Sequence, residues 1–319
     1  MDLPLSMTCG PYDRSRALIE GTVKPAGIDL KIEVNDDDVG RHFGGHEGRF
    51  DIAEFFTGRY IVDLPFKSLG VTAIPIFVKR MFRHSYIYIN TGSGIRKPSD
   101  LNGKRVGIQS WYTTTALWAR GILAEEHGVD LSSITWVAGR PPENLDEWQQ
   151  PDWLKLEEVS GYDKVRELLF AGDIDAMITT ATFAPEGRPT VDFLFPDYPE
   201  REREYFKRTG FFPIQHTLVI KTSVLDEHPW VAKSMFDAWQ ASKERCYDWL
   251  EWQRVHQTGL WYRSLWEEER AVAGRDFYRW GFKDTRAEVD KMLEYAHQQG
   301  FTAQRFAPED MFHPSMLET

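Results

Sequence analysis

Residues 96–109 read RKPSDLNGKRVGIQ. Pro98, followed by Asp100 and Leu101, suits one short helical turn, because proline is pre-set for a first helical position. Asn102-Gly103 suits a tight reversal, since glycine takes the positive φ that such turns demand. Lys104–Gln109 then suits a buried parallel strand. Beyond it stand Thr113, Thr114 and Thr115 and a helical stretch. A strand feeding a Thr-rich loop and a helix offers hydroxyls and free backbone N–H groups to an anion. This strand–loop–helix unit predicts an α/β architecture with mainly parallel sheets.

Upstream, Leu3–Thr8 reads as a first strand, running through Gly-Pro-Tyr-Asp-Arg into a helix from about Ser15. Ile28–Val34 alternates like a strand. Residues 50–55 read as strand into helix. Val71–Val78 reads as a buried strand, and Tyr86–Ile89 as the next one. Between those two lies a basic turn, Lys79–His84. Downstream, the pattern predicts a helix over Thr114–Glu126, a strand over Ile134–Val137, a helix over Asp163–Ala171 and a strand over Ala176–Thr179. Residues 185–199 read as irregular, and Gly210–Ile220 as a return strand. From His228 the chain is helical, with tryptophans at helical spacing that suit packing. These breaks predict an outer domain, 1–91 plus 210–319 with a helical C-terminal part, and an inserted domain, 92–209.

Composition narrows the function. The 319 residues suffice for two domains, and 42% hydrophobic content supplies real cores. A net charge of -11 argues against nucleic acid, whose phosphates need a basic surface. No apolar run reaches transmembrane length. Cys9 and Cys246 are too few and too far apart for a disulfide framework. No basic n-region or apolar h-region precedes Cys9, so the expected location is the cytoplasm. A homo-oligomer is compatible with all of this.

The residues that can carry chemistry cluster at expected strand ends, where open α/β sheets bind ligands. Arg80 and Arg83 offer guanidinium groups for a carboxylate. For either alone, a solvated loop charge is the plainer reading. His84 and His216 are proton-transfer candidates, because imidazole titrates in the useful range; a hydrogen-bonded structural role weighs equally. Glu54 is a third acid or base candidate, or else a carboxylate at a helix start. Arg14 faces a carboxylate or simply the surface. Thr113–Thr115 hold a carboxylate, cap a helix, or both. Trp111 and Tyr112 can sandwich an aromatic ring, and Arg120, inside the following helix, can point inward, although a surface ion pair is the plainer reading. The stretch HFGGHE, 42–47, carries two histidines four apart, but its glycines weaken a helix and it does not match the HExxH zinc pattern. No clear motif supports a divalent metal, and no P-loop, GxSxG elbow or dinucleotide fingerprint is present.

Five stretches, YDRSRALIEG (12–21), KRMFRHSYIYI (79–89), TTTALWARGILAEEHGV (113–129), AGDIDAM (171–177) and RTGFFPIQH (208–216), together with HPWVAKSMFDAW (228–239), resemble the 4,5-dihydroxyphthalate decarboxylase family. The resemblance runs from residue 8 to about 245. It departs at Gln215, where the family stretch usually carries methionine, and over 36–50. It implies a two-domain type-II periplasmic-binding-protein-like fold with a hinge and an inter-domain cleft, used by an enzyme that removes one carboxylate from a dihydroxyphthalate to give protocatechuate. No cofactor is expected, because a para hydroxyl lets the ring accept a proton and expel CO2. The alternative is a solute-binding protein of an ABC-type transport or sensing system that binds a small aromatic carboxylate. A weaker third reading is an enzyme of pyrimidine or thiamine-precursor synthesis, which expects a nucleophilic lysine or a Cys/His metal run.

Overall fold

The computed structural model describes residues 2–35, 48–140, 148–182, 189–252 and 259–319. The stretch with His42 and His46 lies outside the described residues. The chain divides into two compact units. One holds residues up to Arg80, Ile214–Asp290 and Phe306–Thr319, and the other holds Met81–Pro213 and Lys291–Arg305.

The first unit is built on strands β1 (Leu3–Cys9), β2 (Ile28–Val34), β3 (Ile52–Phe56), β4 (Val71–Arg80) and the late strand Ile214–Lys221. In space the order is β2, β1, β3, the late strand, β4. β1 runs parallel to β2 and β3. The late strand runs antiparallel to both its neighbours, so the sheet is mixed rather than mainly parallel. Even β4, at one end of that order, is a continuous buried run over Ile74–Val78, so water reaches neither of its faces there. Helix α1 (Arg16–Ile19) and helix α2 (Thr57–Asp63) follow β1 and β3.

The second unit carries β5 (Ile87–Asn90), β6 (Arg105–Ile108), β7 (Thr135–Ala138), β8 (Lys155–Glu158), β9 (Ala176–Ile178) and β10 (Val191–Phe193). Their spatial order is β10-β5-β9-β6-β7-β8. The 96–109 stretch folds as read: a 3-10 turn over Pro98–Leu101, a reversal with Gly103 at φ 74°, and β6 parallel to β7 and β9. Helix α3 (Thr114–His127) follows it, and helix α4 (Tyr162–Ala171) packs on the sheet through Val165 and Leu169, against Tyr88, Val137 and Met177. Helix α5 (Tyr198–Thr209) returns the chain toward the late strand, β11 (Ile214–Lys221). Helices α6 (Thr222–Glu227), α7 (Trp230–Glu251), α8 (Tyr262–Ala273) and α9 (Phe282–Gln298) complete the described helices.

The expected boundaries at 91/92 and 209/210 shift. β5 was expected in the outer domain, yet it hydrogen-bonds to β9 and β10 and so belongs to the second sheet. Residues 291–305 also return to the second unit, where the Trp111 indole and the Arg120 guanidinium both bond to Gln299. Among the described residues no helix is long and apolar enough to cross a membrane.

Candidate active site

Glu54 and His216 meet because of strand register. β3 and β11 pair with Phe56 opposite His216 and Glu54 opposite Leu218. The two are therefore diagonal neighbours on one face of the sheet, within reach of long side chains. Glu54 Oε1 stands 2.5 Å from His216 Nδ1, and both side chains are buried. Beside an ionised Glu54, which only accepts, the imidazole donates from Nδ1, and that bond would set its tautomer and ring plane. The β4–β11 register slips on both sides of His216, and irregularities of this kind re-aim side chains beside functional sites. The ring of Phe56 lies 4.7 Å from the imidazole. An apolar ring and a carboxylate thus both border the imidazole.

β1 brings two further partners. It runs parallel to β3 with Thr8 beside Ala53, so the chain leaving β1 arrives at Glu54. The Gly10 N–H donates to Glu54 Oε2 at 2.9 Å, and the Tyr12 hydroxyl donates to Oε1 at 2.5 Å. A Cβ on Gly10 would lie 2.8 Å from Cε2 of Tyr12, so only glycine lets the tyrosine ring fold back there. Two positions on, the Arg14 guanidinium lies 4.4 Å from the Tyr12 ring centre and 3.9 Å from that of Tyr278. This is a cation held between two aromatic faces. Arg14 Nη2 donates to the Val78 carbonyl and Nη1 to Asp13, while its Nε is buried and makes no hydrogen bond. Burial pushes the Tyr278 hydroxyl up, against the pull of Arg14 and Arg80.

Arg80, expected in a basic turn, is engaged inside the first unit. It is the last residue of β4, not part of an open turn. Its guanidinium is committed to Glu288 at 2.7 Å and to the Arg279 carbonyl at 2.7 Å. Burial raises Glu288 while Arg80 draws it back down.

In the second unit Arg83 is 2% exposed, and its Nε and Nη1 make no hydrogen bond. Burial lowers its pKa to about 9, partly offset by Tyr86 and Glu202. At neutral pH it is still a cation. Burial raises Glu202, which accepts from the Ser85 N–H and hydroxyl. His84 is 3% exposed, lodged against the rings of Phe195 at 5.3 Å and Tyr205 at 5.7 Å. Its pKa is lowered to about 4, first by burial and then by His127, Arg201 and Arg208, against Asp197. At neutral pH its imidazole is uncharged.

Trp111 does not offer its face to a ring. Its indole N–H donates to the Gln299 carbonyl at 3.2 Å, and it packs edge-on against Trp136 and Trp153. Arg120 lies 3.6 Å above its ring centre, is 0% exposed, and bonds to Gln299 and to the Trp111 carbonyl. The expected surface ion pair of Arg120 is therefore a buried brace. Thr113 precedes α3 and donates its hydroxyl to the Ser110 carbonyl at 3.1 Å, while Thr114 and Thr115 are buried in the first turn. Cys9 and Cys246 are buried free thiols. Among the described residues no group of three His, Cys, Asp or Glu side chains is placed to hold a metal ion.

Sequence reasoning missed Gly10, Tyr12 and Tyr278. The only available signal was a glycine and a tyrosine two residues apart, directly after the first strand.

The architecture is that of periplasmic binding proteins. The sulfonate-binding protein SsuA from Methylobacillus flagellatus superposes with a TM-score of 0.55 at 14% identity, covering 99% of this chain and 93% of that one. SsuA from Escherichia coli gives 0.54 at 10% identity, over 98% and 92%. The desulfurization enzyme DszB gives 0.51 at 17%, over 99% and 98%, so the same fold also occurs in an enzyme. No family model matches the chain. Among curated proteins, the 4,5-dihydroxyphthalate decarboxylase of Comamonas testosteroni is 31% identical over 324 residues, covering 99% of this chain and 98% of that protein. The protein of the same name from Pseudomonas putida is 29% identical over 215 residues, covering 66% and 83%. The chain belongs to the 4,5-dihydroxyphthalate decarboxylase family.

Proposed function

We propose that the protein decarboxylates a hydroxylated aromatic acid without oxidation, 4,5-dihydroxyphthalate to protocatechuate being the best-supported reaction. The observation that carries this reading is the buried His216–Glu54 pair, 2.5 Å apart, tied through Tyr12 to the Arg14 guanidinium. Protonated His216 delivers a proton to the ring carbon that bears the departing carboxylate. The para hydroxyl releases electron density into the ring from its oxygen, its own proton passing transiently to water. The carbon–carboxylate bond then breaks, its electron pair restores the aromatic ring, and CO2 leaves. The phenol regains its proton, so the net change is one carboxylate and one proton converted into CO2 and a C–H bond. Arg14 pairs with a carboxylate, which suits a guanidinium better than an ammonium.

Because the ring itself accepts the electrons, the proposal needs no organic cofactor, and it places the reaction in the cytoplasm. Arg83 is proposed as a second anion-binding group. The test is incubation of the purified protein with 4,5-dihydroxyphthalate in D2O, with CO2 trapping and mass analysis of the product. The expected result is protocatechuate with deuterium at the vacated carbon. Absence of turnover across a set of hydroxylated benzoates, together with tight binding of unchanged ligand, would replace the enzyme with a carrier.

A further inference from the structure

Glu54 sits where it can either exchange protons with substrate or orient His216. Its surroundings separate the two roles. Oε1 receives the Tyr12 hydroxyl and the His216 Nδ1 hydrogen, each at 2.5 Å, and Oε2 receives the Gly10 N–H at 2.9 Å. The Gly10 N–H can only donate, the Tyr12 hydroxyl donates, and His216 Nδ1 donates in the tautomer that carries its hydrogen there, so an ionised carboxylate satisfies these three. A protonated Glu54 would need the Tyr12 hydroxyl or His216 Nδ1 to turn round and accept, which breaks the set of bonds drawn here. The backbone shows that this arrangement is built in. Gly10 has no side chain where a Cβ would stand 2.8 Å and 2.9 Å from Cε2 and Cζ of Tyr12. The tyrosine ring therefore folds back over the chain, its hydroxyl on Glu54 and its face 4.4 Å from the Arg14 guanidinium.

We propose that Tyr12 is a positioning residue that keeps Glu54 an ionised orienting group, so that His216 alone of the three exchanges a proton with the substrate. The proposal rests on the decarboxylase reading above and assigns roles within that site. Glu54 then never transfers a proton to the ring carbon. Tyr12 joins the anion-holding guanidinium to the proton-carrying imidazole, its ring serving one and its hydroxyl the other.

The experiment uses the full-length protein with 4,5-dihydroxyphthalate and two variants. Tyr12→Phe keeps the ring under Arg14 and removes only the hydroxyl. KM should stay within about twofold, while kcat falls roughly 10- to 100-fold, the size of one hydrogen bond to a charged group. The acid limb of the kcat–pH profile should move toward neutrality by about one unit. Tyr12→Leu also removes the ring, and KM should rise as well. A purely structural tyrosine would lower the melting temperature while leaving the kcat of the folded enzyme and its pH limb in place, and that result overturns the proposal. A second measurement does not depend on turnover. Infrared difference spectra between wild type and Glu54→Gln at neutral pH should contain no protonated-carboxyl band. Such a band assigned to Glu54 overturns the assignment even if Tyr12→Phe does not fold. A wild type that fails to turn over removes the decarboxylase reading but leaves the infrared result to judge Tyr12 and Glu54.

Discussion

Arg14 and Arg83 are housed differently. Arg14 lies between two aromatic faces, whereas Arg83 is buried with two N–H groups unbonded and burial pulling its pKa down to about 9. A base whose folded pKa is lowered costs stability at every pH below that value, and the cost fades only as pH rises from about 9 toward 12.5. On the order of a few kcal/mol is at stake. Arg83→Met should therefore raise the melting temperature at neutral pH, and it should raise KM for a dianionic substrate by roughly 10- to 100-fold through the lost charge-assisted bonds. Thermal scans and initial rates check both, and an unchanged KM removes Arg83 from substrate binding. His216→Asn keeps a polar group beside Glu54 but cannot carry the proton. Calorimetry should find substrate binding retained while kcat falls at least about 100-fold, the lower end for general acid–base catalysis. Glu54 and His216 were legible in the sequence because each sits in a strand whose pattern is plain. Tyr12 was not, because a loop residue has no periodicity and only the β1–β3 register brings it to Glu54. The Arg80–Glu288 pair was illegible for a related reason: its two members lie 208 positions apart.

Elements with a strong apolar pattern read correctly, and those whose partners supply the burial did not. β1, β2, β4 and β6 carry their own signal. β8 reads Lys-Leu-Glu-Glu and is mostly exposed at the sheet edge, so nothing in its residues marks it as a strand. β10 is three residues long. α5 is dense in charge and fully buries only Tyr205, so its helical period is faint. Glycine within α3 gives a test at this scale. Gly121→Ala in a helix ordinarily gains up to about 1 kcal/mol. Here the added Cβ would collide with the ring of Tyr295, which is itself held by Glu125 and packed on Trp118. The ring has no easy retreat, so Gly121→Ala should destabilise by about 1–3 kcal/mol, as overpacking does. Urea unfolding measures the sign, and a more stable variant contradicts the packing described here.

At the scale of the whole molecule, the charge balance sets how stability responds to acid. A net charge of -11 gives many carboxylates whose protonation weakens the fold at low pH, which masks any single histidine. His84 can still be isolated. In the native protein its imidazole stays uncharged down to about pH 4, because it is buried against Phe195 and Tyr205 and faces His127, Arg201 and Arg208, with Asp197 the opposing charge. Unfolded, it takes a proton near its ordinary value of 6.5. Above that value both states are neutral and the histidine has no effect. Between 6.5 and 4 only the unfolded chain binds the proton, so stability falls as pH drops, by about 2 kcal/mol at pH 5. His127, also lowered by burial, adds in the same direction. His84→Phe keeps an aromatic ring in the same place and removes the titration. Its melting temperature should track wild type from about pH 8 to pH 7, and then fall less steeply than wild type toward pH 5. A difference of several degrees at pH 5 is expected. Parallel curves across the whole range would mean that native His84 charges as readily as the unfolded residue, and the buried aromatic setting described for it would be wrong.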